Sequence, residues 1–170
     1  MADLDAAYQA RRSRALVASA AWVSSGREPA LKGKKRQRNI LKANDVERLM
    51  DTCGVTKTGL RAQAMIAVLY GCDLGISDAC ALACDDPLPR NAFPRAVRLV
   101  DEWRAVAQQI VGPSGPLFCT IVSSSAGRAT STSYWRHLFP VLSTKAGVPA
   151  VSPSDLVWSG RLARRMVRNG

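Results

Sequence analysis

Residues 58–84 read TGLRAQAMIAVLYGCDLGISDACALAC, and this stretch decides the fold class. Its apolar side chains recur at positions i, i+3, i+4 and i+7, namely Ala62, Met65, Ile66 and Leu69. That spacing is typical of the buried face of a helix. Gly71 and Gly75 interrupt the pattern, and a short helix is predicted over 76–84. The stretch therefore predicts two helices joined by a tight turn.

Helical spacing continues on both sides of this stretch. Asn44 is placed to cap an earlier helix that stops at Gly54. Three later helices are predicted, over 97–111, over 133–146 and from Ser154 onward. Pro140 is expected to kink the second of these. Almost no segment alternates polar and apolar residues, so the predicted fold is mainly α with a small residual β element.

Composition and length exclude several classes of protein. With 170 residues, 47% hydrophobic and 22% charged, the chain has room for one globular domain with a sizeable core. The longest apolar run is far shorter than the roughly 18 residues of a bilayer-spanning helix, so no membrane partner is expected. The four tryptophans are interpreted as isolated core or interface anchors at Trp22, Trp103, Trp135 and Trp158.

The five cysteines contain no CxxC pair, and His137 is the single histidine. A zinc tetrad is therefore not expected, and nothing in the sequence indicates another cofactor or a small-molecule substrate. An odd number of cysteines and the lack of a charged, then apolar leader favour buried thiols in a reducing compartment. The expected location is the cytoplasm.

The positive charge is concentrated at the two ends of the chain. Lys and Arg total 24 against 13 Asp and Glu, which gives a net charge of +11. Residues 1–40 and residues 112–170 each carry +6, whereas residues 41–111 carry −1. A basic excess of this size is typical of proteins that bind nucleic acid. Duplex DNA is therefore the expected partner.

Residues 1–40 are expected to form a region separate from residues 41–170. An amphipathic helix is predicted over 3–24, followed by a flexible basic segment with too few apolar residues to pack. The cations of this segment that are expected to contact DNA phosphate are Lys32, Lys34, Lys35, Arg36 and Arg38. The alternative is a solvated segment that serves only solubility.

The last predicted helix carries a second group of cations. Arg161, Arg164, Arg165 and Arg168 stand at i, i+3, i+4 and i+7, so a helix would place them on one face. Four like charges on one face repel one another and are stabilised when phosphates neutralise them. Arg128, in a predicted loop, is a further candidate for a phosphate contact. The alternative is a solvated helix end without a ligand.

Four motifs in order resemble the catalytic domain of tyrosine recombinases and phage-type integrases. Residues 68–86, VLYGCDLGISDACALACDD, are similar to the early motif of that domain, and LKANDVERLM at 41–50 resembles its opening helix. GPLF at 115–118 and the stretch from 146 to 156 resemble two later motifs. The resemblance covers residues 41–170. It implies a recombinase catalytic-domain-like helical bundle with DNA as its partner.

The resemblance also implies that the catalytic residues are missing. It places Gly75, Ser154 and Val157 where the family carries an arginine, a histidine and an arginine that neutralise the scissile phosphate. The interval 85–94, where the family keeps a lysine hairpin, contains no lysine, and the chain stops before the region of the nucleophile. Its three tyrosines, Tyr8, Tyr70 and Tyr134, lie in other frames. Asp78 keeps the family's acidic position and is interpreted as a helix-start charge.

These expectations combine into one predicted function. The chain is expected to be a DNA-binding, catalytically inactive relative of tyrosine recombinases, truncated and nucleoid-associated in the cytoplasm. Its expected role is that of an accessory or regulatory protein of a mobile element or phage. Two alternatives remain open: a non-functional recombinase remnant, and a module that docks on an intact recombinase or on itself.

Overall fold

Six helices account for most of the residues that the computed structural model describes, which are 38–122 and 124–169. They are α1 (Ala43–Asp51), α2 (Lys57–Gly71), α3 (Ile76–Cys80), α4 (Pro94–Val111), α5 (Thr132–Ala146) and α6 (Pro153–Asn169). The predicted mainly α fold is confirmed. The predicted helix over 3–24 and the basic segment up to residue 37 lie outside the described residues.

Helix α2 is the centre of the packing. Its six consecutive residues Ala64, Met65, Ile66, Ala67, Val68 and Leu69 are all buried, with 0–1% of their surface exposed. The spacing in the sequence predicted a single buried face. The structure buries this part of α2 on all sides, because α1, α4 and α6 each pack against it. A helix that is apolar all round is stable only when neighbours enclose it in this way.

Helix α4 packs on α2 through one apolar face. Val100, Trp103 and Ala107 are buried, and Ala96 completes the buried face toward the helix start. The indole Nε1 of Trp103 donates a hydrogen bond to the carbonyl oxygen of Leu117 at 2.8 Å. This bond joins α4 to the segment that carries the residual β structure.

Two isolated antiparallel bridges form the small β element. Ala83 pairs with Pro116, and Cys119 pairs with Ala129. The backbone N–H of Leu117 donates to the carbonyl oxygen of Leu82 at 2.8 Å. Because residues 82–84 bond to this neighbouring segment, α3 ends at Cys80, and the prediction that it continues to Cys84 was wrong.

The start of α1 differs from the predicted one, and the start of α2 also uses a side-chain cap. Lys42, rather than Asn44, is the N-cap of α1, and its N–H donates to Oδ2 of Asp45 at 3.1 Å. Helix α2 begins at Lys57, where the hydroxyl of Thr56 accepts a hydrogen bond from the N–H of Gly59 at 3.1 Å. Both starts use a side-chain oxygen to satisfy backbone donors that a helix leaves free.

Helix α6 crosses the end of α2 at a glycine. A Cβ atom built on Gly160 would lie 1.9 Å from the carbonyl oxygen of Tyr70, far inside van der Waals contact. Leu156 and Ser159, on the same part of α6, are buried. The two backbones can therefore approach this closely only because residue 160 has no side chain.

We expect Gly160→Ala to lower the free energy of unfolding by about 3 kcal/mol, because the added methyl group must push α6 away from α2. Urea denaturation followed by circular dichroism measures this change. Arg165→Ala, at an exposed position of the same helix, is the control and is expected to change stability by less than about 0.5 kcal/mol. Equal stability of Gly160→Ala and the parent protein would contradict the close crossing.

The five cysteines are free thiols, of which Cys72, Cys84 and Cys119 are buried. Burial raises the pKa of Cys53, Cys72 and Cys80 from 9.0 to about 11. Among the described residues, no group of three His, Cys, Asp or Glu side chains could hold a metal ion. No described helix is long and apolar enough to cross a bilayer.

The raised thiol pKa values predict a loss of stability in alkali. Between pH 9 and pH 11 the thiol of Cys72 ionises in the unfolded chain but stays protonated in the folded protein. The folded state binds more protons in this range, so the free energy of unfolding falls as the pH rises. Urea denaturation at several pH values should show that the free energy of unfolding of Cys72→Ala falls less steeply with pH than that of the parent protein. Equal slopes of the free energy of unfolding against pH for the two proteins would contradict this prediction.

Candidate nucleic-acid interface

A surface cavity of about 230 Å³ brings together the three positions that the recombinase resemblance singled out. Its lining residues are Arg38, Gly75, Ile76, Pro153, Ser154, Val157, Trp158 and Arg161. Gly75 immediately precedes α3, whereas Ser154 and Val157 lie in the first turns of α6. Residues that are distant in the sequence therefore meet at one site.

Asp155 holds the start of α6 in place. Its side chain is buried, and its Oδ2 accepts hydrogen bonds from the N–H of Ser152 at 2.9 Å and from the Ser152 hydroxyl at 2.6 Å. Its Oδ1 accepts a longer one, 3.3 Å, from the N–H of Asn39. One carboxylate thus fixes the N-terminus of α6 and the segment that leads into α1.

That leading segment places Arg38 at the cavity. The side chain of Asn39 donates to the carbonyl oxygen of Ala150 at 2.8 Å, and the N–H of Leu41 donates to the Ser159 hydroxyl at 2.9 Å. With residues 39 and 41 bound in this way, the guanidinium of Arg38 lies 4.4 Å from the centre of the Trp158 ring. This is a cation–π distance.

Cationic, polar and apolar groups all line the cavity. Arg38 and Arg161 supply the positive charge, and Ser154 supplies an exposed hydroxyl. The N-terminus of α6 adds the partial positive charge of a helix start. Asp78 lies beside the cavity, with its Oδ2 3.3 Å from where a Cβ on Gly75 would stand. The lining includes no His, Lys, Tyr or carboxylate side chain, so this arrangement suits binding an anion rather than proton transfer.

Arg164 has a different environment from the one predicted. Only 14% of its side chain is exposed, and its Nη1 donates to the carbonyl oxygens of Tyr70 at 3.2 Å and Gly71 at 3.1 Å. Its guanidinium also lies 5.3 Å from the centre of the Phe93 ring. The last carbonyls of α2 lack partners within their own helix, and Arg164 satisfies them. The prediction of one phosphate-facing row is therefore corrected: Arg164 faces the protein.

The other predicted cations are distributed as follows. Arg161 and Arg165 are exposed on α6, and Arg128 is exposed in the loop that follows Thr120 without lining the cavity. The side chain of Arg168 lies outside the described part of the structure, as do Lys32, Lys34, Lys35 and Arg36. Of the predicted DNA-binding residues whose side chains the structure describes, Arg38 and Arg161 are the two that it brings together at the cavity.

Two features of the site were missed by reasoning from the sequence. Trp158, interpreted as a packing anchor, lies under Arg38 at the cavity wall. Asp73 accepts a hydrogen bond from Nε of Arg161 at 2.5 Å. In the sequence, the signal for Asp73 is an acidic residue between two turn glycines, Gly71 and Gly75. In the structure, the backbone of Asp73 adopts a φ of 61°.

Neither described tyrosine lines the cavity. The Tyr134 hydroxyl accepts a hydrogen bond from Nη2 of the buried Arg61 at 2.7 Å. The Tyr70 ring packs 5.7 Å from the Phe93 ring, and burial raises the pKa of its hydroxyl. Tyr70 instead borders a second cavity, of about 320 Å³, which is mostly apolar and is enclosed by α1, α2 and the start of α4.

A comparison with solved structures bears on this arrangement. A crystal structure of XerA recombinase superposes with a TM-score of 0.61 and 18% sequence identity, covering 85% of this chain and 56% of that chain. The chain has a recombinase-like fold. It spans little more than half the length of the XerA chain. No family model and no curated protein matches the sequence.

The recombinase-like fold confirms the fold that the four motifs implied. At this level of identity the likeness concerns the fold alone, since one fold can serve several functions. The function of the cavity must therefore be argued from its own residues.

We expect Arg164→Ala to lower the free energy of unfolding by about 2 kcal/mol, because it leaves the buried end of α2 without a charged donor. Arg165→Ala on the same helix is the control, since it removes the same charge from an exposed position. Urea denaturation of the two variants makes the comparison. Equal stabilities would contradict the role of Arg164 at the end of α2.

Proposed function

We propose that this chain binds duplex DNA at the face that contains the cavity and that it does not cleave the DNA. One observation carries the proposal. The cavity at which Gly75, Ser154 and Val157 meet retains two arginines, Arg38 and Arg161, that can contact a phosphate. The proposed role is that of an accessory or regulatory protein, nucleoid-associated and belonging to a mobile element or phage.

The charge of the chain supports DNA as the partner. The net charge is +11, and Arg38 follows the basic run of residues 32–36 after a single intervening residue, Gln37. Arginine binds phosphate with a planar set of donors, and each phosphate that it neutralises releases counterions from the DNA. The cations in this segment and at the cavity would add affinity without reading base sequence.

The residues at the three converging positions argue against strand cleavage. In phosphoryl transfer the reacting phosphate gains negative charge that preorganised donors must stabilise. Glycine and valine have no side-chain donor, and a serine hydroxyl carries no charge. Loss of one such donor costs about 100- to 1000-fold in rate, and here several are replaced together.

Fluorescence anisotropy with a labelled duplex tests the proposal. We expect micromolar affinity at low salt and a steep decline in affinity as the salt concentration rises. Arg38→Gln/Arg161→Gln should weaken binding and reduce the slope of log Kd against log salt by about 2, because two phosphate contacts are lost. A supercoiled plasmid incubated with the parent protein should remain uncut.

Arg48→Gln/Arg98→Gln is the matched control. It removes two exposed arginines of α1 and α4 that do not line the cavity. An equal loss of affinity in both double variants would show that only net charge matters and would contradict binding at the cavity. No binding at low salt by the folded parent protein would overturn DNA binding altogether. Plasmid nicking by the parent protein would overturn the absence of cleavage.

A further inference from the structure

The carboxylate of Asp73 forms an ion pair with Arg161, which is one of the two arginines that line the cavity. Asp73 Oδ1 accepts a hydrogen bond from Nε of Arg161 at 2.5 Å, and the same oxygen lies 3.6 Å from Nη2 of Arg164. The side chains of Asp73 and Arg161 are 33% and 49% exposed, and Arg161 lines the cavity, so a ligand there can reach Arg161. Arg161 therefore has an anionic partner before any DNA arrives.

The backbone holds this carboxylate at its position. Asp73 has a φ of 61°, in the left-handed region that residues other than glycine seldom adopt. Cys72 and Leu74 on either side are buried, so the turn between α2 and α3 has little freedom to move away. Aspartate and asparagine tolerate this conformation better than most side chains.

A carboxylate and a phosphodiester compete for the same donors of a guanidinium. Both accept the planar N–H groups of arginine, and both are negatively charged. A phosphate that takes Nε of Arg161 must displace Asp73. The carboxylate also repels an approaching strand, as does Asp78, whose Oδ2 lies near Gly75.

We propose that Asp73 is an internal competitor for the DNA phosphate at Arg161 and thereby limits the affinity of the chain for DNA. The inference rests on the proposed function, since it requires a phosphate to enter the cavity. If Asp73 competes in this way, removal of its charge lets the cavity bind DNA more tightly than it does in the native protein. Arg164 stays bound to the end of α2 through its Nη1 and does not line the cavity.

The test is a double-mutant cycle measured by anisotropy with the full chain and a labelled duplex. Asp73→Asn removes the charge but keeps a residue that accepts the left-handed backbone. We expect it to lower the Kd for the duplex about two- to fivefold at low salt, which corresponds to the free energy of an exposed ion pair. In the Arg161→Gln background the same substitution should change the affinity much less, because the contested arginine is absent.

Asp101→Asn is the matched control. Asp101 on α4 also forms a 2.5 Å ion pair, with Arg104, and the pair does not line the cavity. Asp101→Asn changes the net charge of the chain by the same amount as Asp73→Asn. Circular dichroism establishes that each variant is folded. If Asp73→Asn fails to fold, Asp73→Gly replaces it, since glycine adopts a φ of 61° without strain.

The outcomes separate this inference from the proposed function. Tighter binding of the Asp73 variant that depends on Arg161 supports the inference. An equal gain for Asp101→Asn, an unchanged affinity, or a gain that persists without Arg161 overturns the inference and leaves DNA binding intact. No binding by the folded parent protein overturns the proposed function, and the inference with it.

Discussion

The contact of α6 with the end of α2 at Gly160 sets the geometry of the face that contains the cavity. Because the two backbones touch there, Arg164, one turn further along α6, reaches the last carbonyls of α2. Arg161 reaches Asp73 in the turn beyond the same end. The first turns of α6 are brought beside Gly75, and the cavity forms between them. A side chain at residue 160 would disturb all of these contacts at once.

The arginines of α6 illustrate how one basic sequence motif serves two purposes. Arg164 donates to the carbonyl oxygens of Tyr70 and Gly71 at the carboxyl end of a buried helix, where an unpaired carbonyl oxygen carries a desolvation cost. Arg161 and Arg165 remain on the surface, and Arg161 faces the cavity. Spacing at i, i+3 and i+4 places side chains on neighbouring parts of a helix, but the adjoining helix determines which of them is buried.

The fold and the chemistry of the cavity are separate properties of this chain. Its recombinase-like fold depends on apolar packing around α2, which glycine, serine or valine at the surface cavity does not disturb. Catalysis depends on the donors presented there, and these can be replaced without loss of the core. This separation allows a fold to persist while the side chains that line its cavity differ.

The sequence by itself determined the helical class, five of the six helices to within a few residues, and the recombinase-like fold that the four motifs implied. These features follow from local spacing or from the order of motifs along the chain. The partners of Arg164 and Asp73, the stacking of Arg38 on Trp158 and the early end of α3 were decided only by the tertiary structure. Each depends on atoms from distant segments, and periodicity along one helix contains no information about what its neighbour presents.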